Sequence, residues 1–290
     1  MTRKVFVFVS DTHGASTLGL LNPDTILDRC TYGSNGLEHD YWQPSLSGFQ
    51  KLLWEQYTKG IKKIKKWSKN DELILVHNGD ITDGSKYPDN RIDVKQSSQV
   101  RIATNNMIPW FELKNLSTVI LIDGTSSHEF GNGSSVELVA GELALHNAKN
   151  DGEVRIERRR HALLDADGCL FDVAHHGPGT GSRFHLKGDN LRRYVRDVCI
   201  KEVVRGRTLP SVIVRSHFHE YIKEPYTIEN HTCWGIITPC FCGMNHYATQ
   251  ATSSGYELSI GMIGIEVIDG EVGQIRPLVE TLDLRQEIKV

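Results

Sequence analysis

Five short apolar runs, each cut off by an acidic residue or a histidine, constrain this chain more than any other feature in it. VFVFVS precedes Asp11-Thr12-His13, and ELILVHNG precedes Asp80. TVILIDG precedes Thr125-Ser126-Ser127-His128-Glu129, CLFDVA precedes His175-His176-Gly177, and SVIVRS precedes His217-Phe218-His219. Runs of this length, rich in Val, Ile, Leu and Phe, read as buried strands. In layered α/β folds, ligands bind just beyond the carboxyl ends of such strands. Five strand ends converging on one polar site is therefore the expected organisation.

Helical patterns fill the gaps. Leu46, Phe49, Leu53, Tyr57, Ile61, Ile64 and Trp67 recur three or four apart and make one apolar stripe, and the lysines crowding the same stretch read as its solvated face. Residues 100–113 predict a second helix, with Pro109 as a kink or boundary. Ser134-Ser135-Val136-Glu137 reads as a capping box opening a third helix to about residue 148, and 191–204 carries a fourth stripe. In the second half, 154–174 reads as two strands joined by a turn at Asp167-Gly168, and Asp269-Gly270 turns between the last apolar runs. Helices first and hairpins later predict mixed sheets in one domain over residues 1–290. An insertion around 14–44 and a glycine-rich loop at 177–190 shape access to the site.

Charge and cysteine usage narrow the function. Lys and Arg number 33 against 36 Asp and Glu, a net charge of −3, which excludes a globally basic nucleic-acid binder but not a local patch. Arg158-Arg159-Arg160-His161 reads as a solvated sheet face. The six cysteines are irregularly spaced and read as reduced, buried thiols; Cys240-Phe-Cys242 lacks the second pair of a structural zinc site. No run is long enough for a signal segment or a membrane span, so the expected location is the cytoplasm and no membrane partner is expected.

The strand ends carry metal-binding chemistry. Asp11 and His13 stand two apart on an extended chain, so a carboxylate and an imidazole face one side. His217 and His219 repeat this with two imidazoles. Gly79 permits a tight turn that sets Asp80 at a strand end, where its two oxygens can bridge two cations; Asp83 caps or orients. His176 precedes Gly177-Pro178, which fix a sharp exit, and His175 competes with it as a ligand.

This ordered set, from residue 5 to residue 219, resembles the calcineurin-like metallophosphoesterase superfamily, whose pattern runs D-x-H, G-D, G-N-H-[D/E], H and G-H-x-H. The resemblance implies a four-layer α/β/β/α sandwich of two mixed sheets flanked by helices. It implies two divalent transition-metal ions, manganese foremost, with iron, zinc, nickel or cobalt also compatible with the donor set. One ion would be held by Asp11, His13, Asp80 and His219, and the other by Asp80, Ser127, His176 and His217. A hydroxide between the ions would attack phosphorus, with His128 as general acid assisted by Glu129. The implied activity is phosphoester hydrolysis, as a phosphodiesterase or nuclease with nucleic acid as a possible substrate class. A phosphomonoesterase or a catalytically weak binding scaffold is the alternative. The chain departs from the pattern at Gly124-Thr125-Ser126-Ser127-His128, where the amide is missing and the turn is two residues longer, and at Ser216, which replaces a glycine. Arg183, in the glycine-rich loop, is either a bidentate phosphate contact or a solvent-exposed arginine.

Overall fold

A computed structural model describes residues 2–33, 36–86, 90–181, 186–244 and 257–285. Two mixed sheets form the centre. The first has six strands: β1 (Arg3–Val9), β4 (Glu72–Asn78), β5 (Leu116–Ile122), β6 (Arg155–Arg159), β12 (Glu257–Ile268) and β13 (Glu271–Asp283), ordered β13-β12-β1-β4-β5-β6. The second has β7 (Ala162–Ala166), β8 (Cys169–Val173), β9 (Val212–Arg215), β10 (Ile222–Ile228) and β11 (His231–Ile237), ordered β10-β11-β9-β8-β7. A separate hairpin, β2 (Leu27–Gly33) with β3 (Gly36–Trp42), joins neither sheet. The helices are α1 (Gly48–Ser68), α2 (Gln96–Phe111), α3 (Ser134–Lys149) and α4 (Asp189–Val204).

Strand alternation builds the layers. Val5, Val7 and Val9 of β1, with Leu73 and Leu75 of β4, pack into one buried cluster with α1, α2 and α3 residues such as Tyr57, Ile64, Met107, Trp110 and Val139. The intervening Phe6, Phe8, Ile74 and Val76 point the other way and meet Phe171, Val173, Val212 and Val214 of the second sheet. Phe6 and Phe171 stack with ring centroids 4.5 Å apart across that seam. Leu191, Val195 and Cys199 of α4 cover the outer face of the second sheet at Ile213 and Ile237. The result is the expected α/β/β/α sandwich, with a double apolar core that strands buried on both faces require. Each fully buried Val, Leu, Ile or Phe contributes about 1.5–3 kcal/mol.

Local signals held in most places and shifted in two. Asp167 and Gly168, with φ of 57° and 97°, and Asp269 and Gly270, with 49° and 83°, make the left-handed pairs a tight hairpin turn needs. The 154–174 stretch, however, contains three strands: β6 runs parallel to β5 in the first sheet, while β7 and β8 pair in the second. The predicted capping box at Ser134 is absent. Gly133 occupies the N-cap of α3 without a side-chain bond, whereas Ser47 and Gln50 form a reciprocal capping box on α1. Pro109 sits inside α2, whose helix runs on to Phe111. All six cysteines are free thiols, and all but Cys30 are buried. Among the described residues, no helix is long and apolar enough to cross a membrane.

The site is set by strand direction. β1, β4 and β5 are mutually parallel, as are β8 and β9, so their carboxyl ends face a common rim. Beneath that rim the two sheets are stitched by buried polar groups. The Ser10 and Ser216 hydroxyls each lie 2.7 Å from the Thr238 hydroxyl, and Asn78 Nδ2 donates to Ser216 Oγ at 2.6 Å and to the Ala174 carbonyl at 3.1 Å. In this low-dielectric seam, satisfied bonds fix the relative position of the strand ends.

Candidate metal centre

The backbone beyond these strands is held in an unusual conformation. Asp11, His13, Asp80, His217 and His219 all have positive φ, between 42° and 79°. For non-glycine residues this costs roughly 1–2 kcal/mol each and clusters where function requires it. The strain is locked by hydrogen bonds. The Asp11 amide donates to the Gly79 carbonyl and the His13 amide to the Asp80 carbonyl, both at 3.0 Å, and the Ser259 amide donates to the His219 carbonyl at 3.1 Å. Gly79 has φ 92°, and a Cβ there would run into the His175 ring, so both conformation and space demand glycine.

Two buried carboxylates lie at the floor. Asp11 Oδ1 is 3.3 Å from His219 Nε2 and 4.0 Å from His175 Nε2. Asp80 Oδ2 is 3.1 Å from His175 Nε2, 3.9 Å from His217 Nδ1 and 4.0 Å from His13 Nε2. The donors fall into four overlapping groups, Asp11/His13/His219, Asp11/Asp80/His175, His175/His176/His217 and His13/Asp83/His128, each with its donor atoms within 4.8 Å of one another. His175 is 1% exposed at the side chain, while that of His217 is 37% exposed, so the centre is closed below and open on the His176–His217 side.

Sequence reasoning favoured His176 and Ser127 as ligands; the tertiary arrangement brings two other residues to the centre as well. His175 reaches both carboxylates, and its Nδ1–H donates to the Asn78 carbonyl at 2.7 Å, which leaves Nε2 facing the acids. Its sequence signal was alternation, since Phe171, Val173 and His175 are all buried. Thr125 Oγ1 lies 3.2 Å from Asp80 Oδ2, 3.4 Å from His175 Nε2, 3.2 Å from His176 Nε2 and 3.3 Å from His217 Nδ1. Such separations match the edges that a coordination shell with radius about 2.0–2.2 Å would have. Ser127, half-buried, packs its carbonyl against Gly84. Arg183 lies outside the described residues.

The second rank is equally built. His128 packs edge-on against His13, with centroids 4.5 Å apart, and its Nδ1–H donates to the Asp83 carbonyl at 2.8 Å. The Asp83 carboxylate lies 3.5 Å from His13 Nδ1 and accepts from Arg91 Nε at 3.2 Å. Arg91 had no sequence signal: only folding brings its nearly buried side chain to Asp83. Glu129 is buried, and its carboxylate accepts the Gly124 amide, shaping the turn that presents Thr125.

Electrostatics fit a cation. Burial alone would raise the Asp11 and Asp80 carboxyls, yet the neighbouring imidazoles, His175 foremost, hold both below the usual carboxylate range. Burial would lower His175, but Asp80 and Asp11 push it up to about 9. Asp11 Oδ1 and His13 Nε2 are buried without any hydrogen-bond partner. Uncompensated buried acceptors aimed at one space, on oxygen and imidazole donors, suit a divalent transition metal.

Fold and site together define an α/β sandwich with a buried His/Asp centre able to bind metal. No family model matches the sequence, and no curated protein sequence matches it. Among solved structures, the chain is similar to the sulfate thiohydrolase SoxB of Thermus thermophilus in complex with glycerol, at TM-score 0.36 and 12% identity. That likeness covers 98% of this chain and 57% of the other, so the chain spans little more than half of that protein.

Proposed function

We propose that this protein is a phosphodiester hydrolase that works with two divalent transition-metal ions. The observation that supports this most is the position of Asp80, whose Oδ2 lies within 4.0 Å of donor nitrogens on His13, His175 and His217. A carboxylate with ligand groups on both sides is suited to bridging. Asp11, His13, Asp80 and His219 would hold one ion, and Asp80, Thr125, His175, His176 and His217 the other. Bound cations, manganese first among the candidates, supply Lewis acidity that activates water and neutralises charge on phosphoryl oxygens.

The chain's own residues do the rest. Asn78 and Asp83 fix the tautomers of His175 and His128 through backbone carbonyls. With Nδ1 bonded to Asp83, His128 can give a proton only from Nε2, and only as the imidazolium. Burial first, then the neighbouring His13, lower its pKa, which weakens the hold on that proton but also thins the imidazolium population. Glu129 supports the Gly124–Thr125 turn, a positioning role. Arg183 would contact a phosphoryl oxygen. The open His176–His217 side would admit an extended diester, nucleic acid included.

The test is hydrolysis of bis-p-nitrophenyl phosphate and p-nitrophenyl phosphate by metal-stripped protein, with Mn, Fe, Zn, Ni, Co or Mg restored singly and Asp80→Ala run beside it. Metal-restored turnover with the diester favoured, absent in Asp80→Ala, is the expected result. No turnover with any ion would overturn the reading.

A further inference from the structure

The hairpin of β2 and β3 carries a second set of metal donors, far in character from the first. Among the described residues it pairs only with itself. Its base is anchored where Leu27 joins Ala15, Leu21 and Ile102 in a small cluster against which Trp42 packs. Leu27 and Trp42 face each other across the hairpin, and the Arg29 guanidinium lies over the Trp42 ring, 5.5 Å from its centroid. Alternation sends Asp28 and Cys30 to the opposite face, together with His39, the register partner of Cys30.

Their donor atoms converge. Cys30 Sγ is 3.5 Å from His39 Nδ1 and 3.6 Å from Asp28 Oδ2, and His39 Nδ1 is 3.0 Å from that same oxygen. Tetrahedral zinc, with Zn–S about 2.3 Å and Zn–N and Zn–O about 2.0–2.1 Å, sets S···N and S···O edges of about 3.5 Å and an N···O edge of about 3.3 Å. The three donors already stand close to those edges. Without a cation the Cys30 thiol and His39 Nδ1 both turn to the Asp28 carboxylate, whereas one cation would take a donor atom from all three. An isolated two-stranded hairpin is also marginal in water, so a tie between its strands has a physical use.

We propose that Asp28, Cys30 and His39 bind one zinc ion that clips β2 to β3, with the fourth position left to solvent. This does not depend on the phosphodiesterase reading: the mixed S/N/O set favours a borderline cation such as zinc, and it shares no residue with the centre at the strand ends.

The probe is Co(II), titrated into the reduced, metal-stripped full-length protein and followed by absorption. Thiolate ligation gives a sulfur-to-cobalt charge-transfer band that nitrogen and oxygen donors at the strand-end centre do not produce. The expected result is that band in the wild type, its loss in Cys30→Ser, and at least tenfold weaker binding by the same band in His39→Ala. Stoichiometric zinc should also slow reaction of the exposed Cys30 thiol with a disulfide reagent at least tenfold. Absence of the band in the wild type, its persistence in Cys30→Ser, or an unprotected thiol would overturn the proposal. Both variants replace exposed side chains, and thermal unfolding of each confirms that the fold is kept.

Discussion

His175 is held between its two ring nitrogens: Nδ1 donates to the Asn78 carbonyl at 2.7 Å, and Nε2 lies 3.1 Å from Asp80 Oδ2. The ring ties the end of β4 to the end of β8, and so couples the two sheets through one residue at the floor of the centre. His176, the next residue, lies at the rim with His217, their ring centroids 4.9 Å apart. Two adjacent histidines therefore have different parts to play.

His175→Ala should weaken metal binding at least a hundredfold and abolish metal-restored turnover. His176→Ala should weaken one of the two metal-binding events about tenfold, a smaller loss than His175→Ala, since its ring lies exposed at the rim. Calorimetric metal titration beside diester kinetics separates the two. Equal losses would show that the neighbours share one role.

Thr125 Oγ1 stands among four donor atoms, on Asp80, His175, His176 and His217. Thr125→Val removes only the hydroxyl at nearly constant volume. It should weaken one of two metal-binding events about tenfold, without a comparable fall in melting temperature. Thr125→Asn supplies an amide oxygen in place of the hydroxyl and should tighten the same event. An unchanged titration in both variants would remove Thr125 from the coordination shell.

Metal removal should reveal a pH dependence that the loaded protein lacks. In the metal-free protein, despite the opposing effect of burial, Asp80 and Asp11 raise His175 from 6.5 to about 9. A histidine raised on folding contributes stability that is full below its unfolded pKa and is lost as pH rises through the folded value. Urea unfolding of the stripped protein should therefore show falling stability between about pH 6.5 and 9. With metal bound the cation supplies the positive charge and displaces that proton, so the slope over this range should flatten.

Glu129 gives the same sign in a carboxyl group. Burial, with Asp123 and Asp80 nearby and the Gly124 amide and His175 opposing, raises it from 4.5 to about 7. The folded state holds this proton more tightly than the unfolded one, so its contribution is present below pH 4.5 and is lost as pH rises towards 7. Glu129→Gln should remove that loss. Wild-type and variant stability curves should converge near pH 4 and separate by pH 7, with the variant higher.

Arg183→Ala should raise KM for a diester several-fold with kcat little changed, as expected for loss of one guanidinium–phosphate pairing. Steady-state kinetics on the metal-restored protein decides it. An unchanged KM would return Arg183 to the solvent.

How much of this was legible depends on the range of the forces involved. Apolar alternation is a local property, and it is written in β1, β4, β5, β8 and β9 as runs that end at polar residues. Strands apolar on both faces must be covered twice, but the four-layer arrangement was implied only by the family resemblance, because how two sheets stack is not a local property. The left-handed Asp-Gly turns are equally local. By contrast, β6 leaves its apparent hairpin because its partner, β5, is distant in sequence, and the start of α3 falls on Gly133 because turn geometry outweighed the serine pattern. By itself, the sequence determined which residues stand at strand ends and that their chemistry is that of metal ligands. Only the tertiary structure decided that His175 lies between the carboxylates, that Thr125 brings its hydroxyl among the donors, that Arg91 braces Asp83, and that Asp28 and Cys30 meet His39. Each of those depends on distances of a few ångströms between segments far apart in the chain or on opposite strands, and only packing sets such distances.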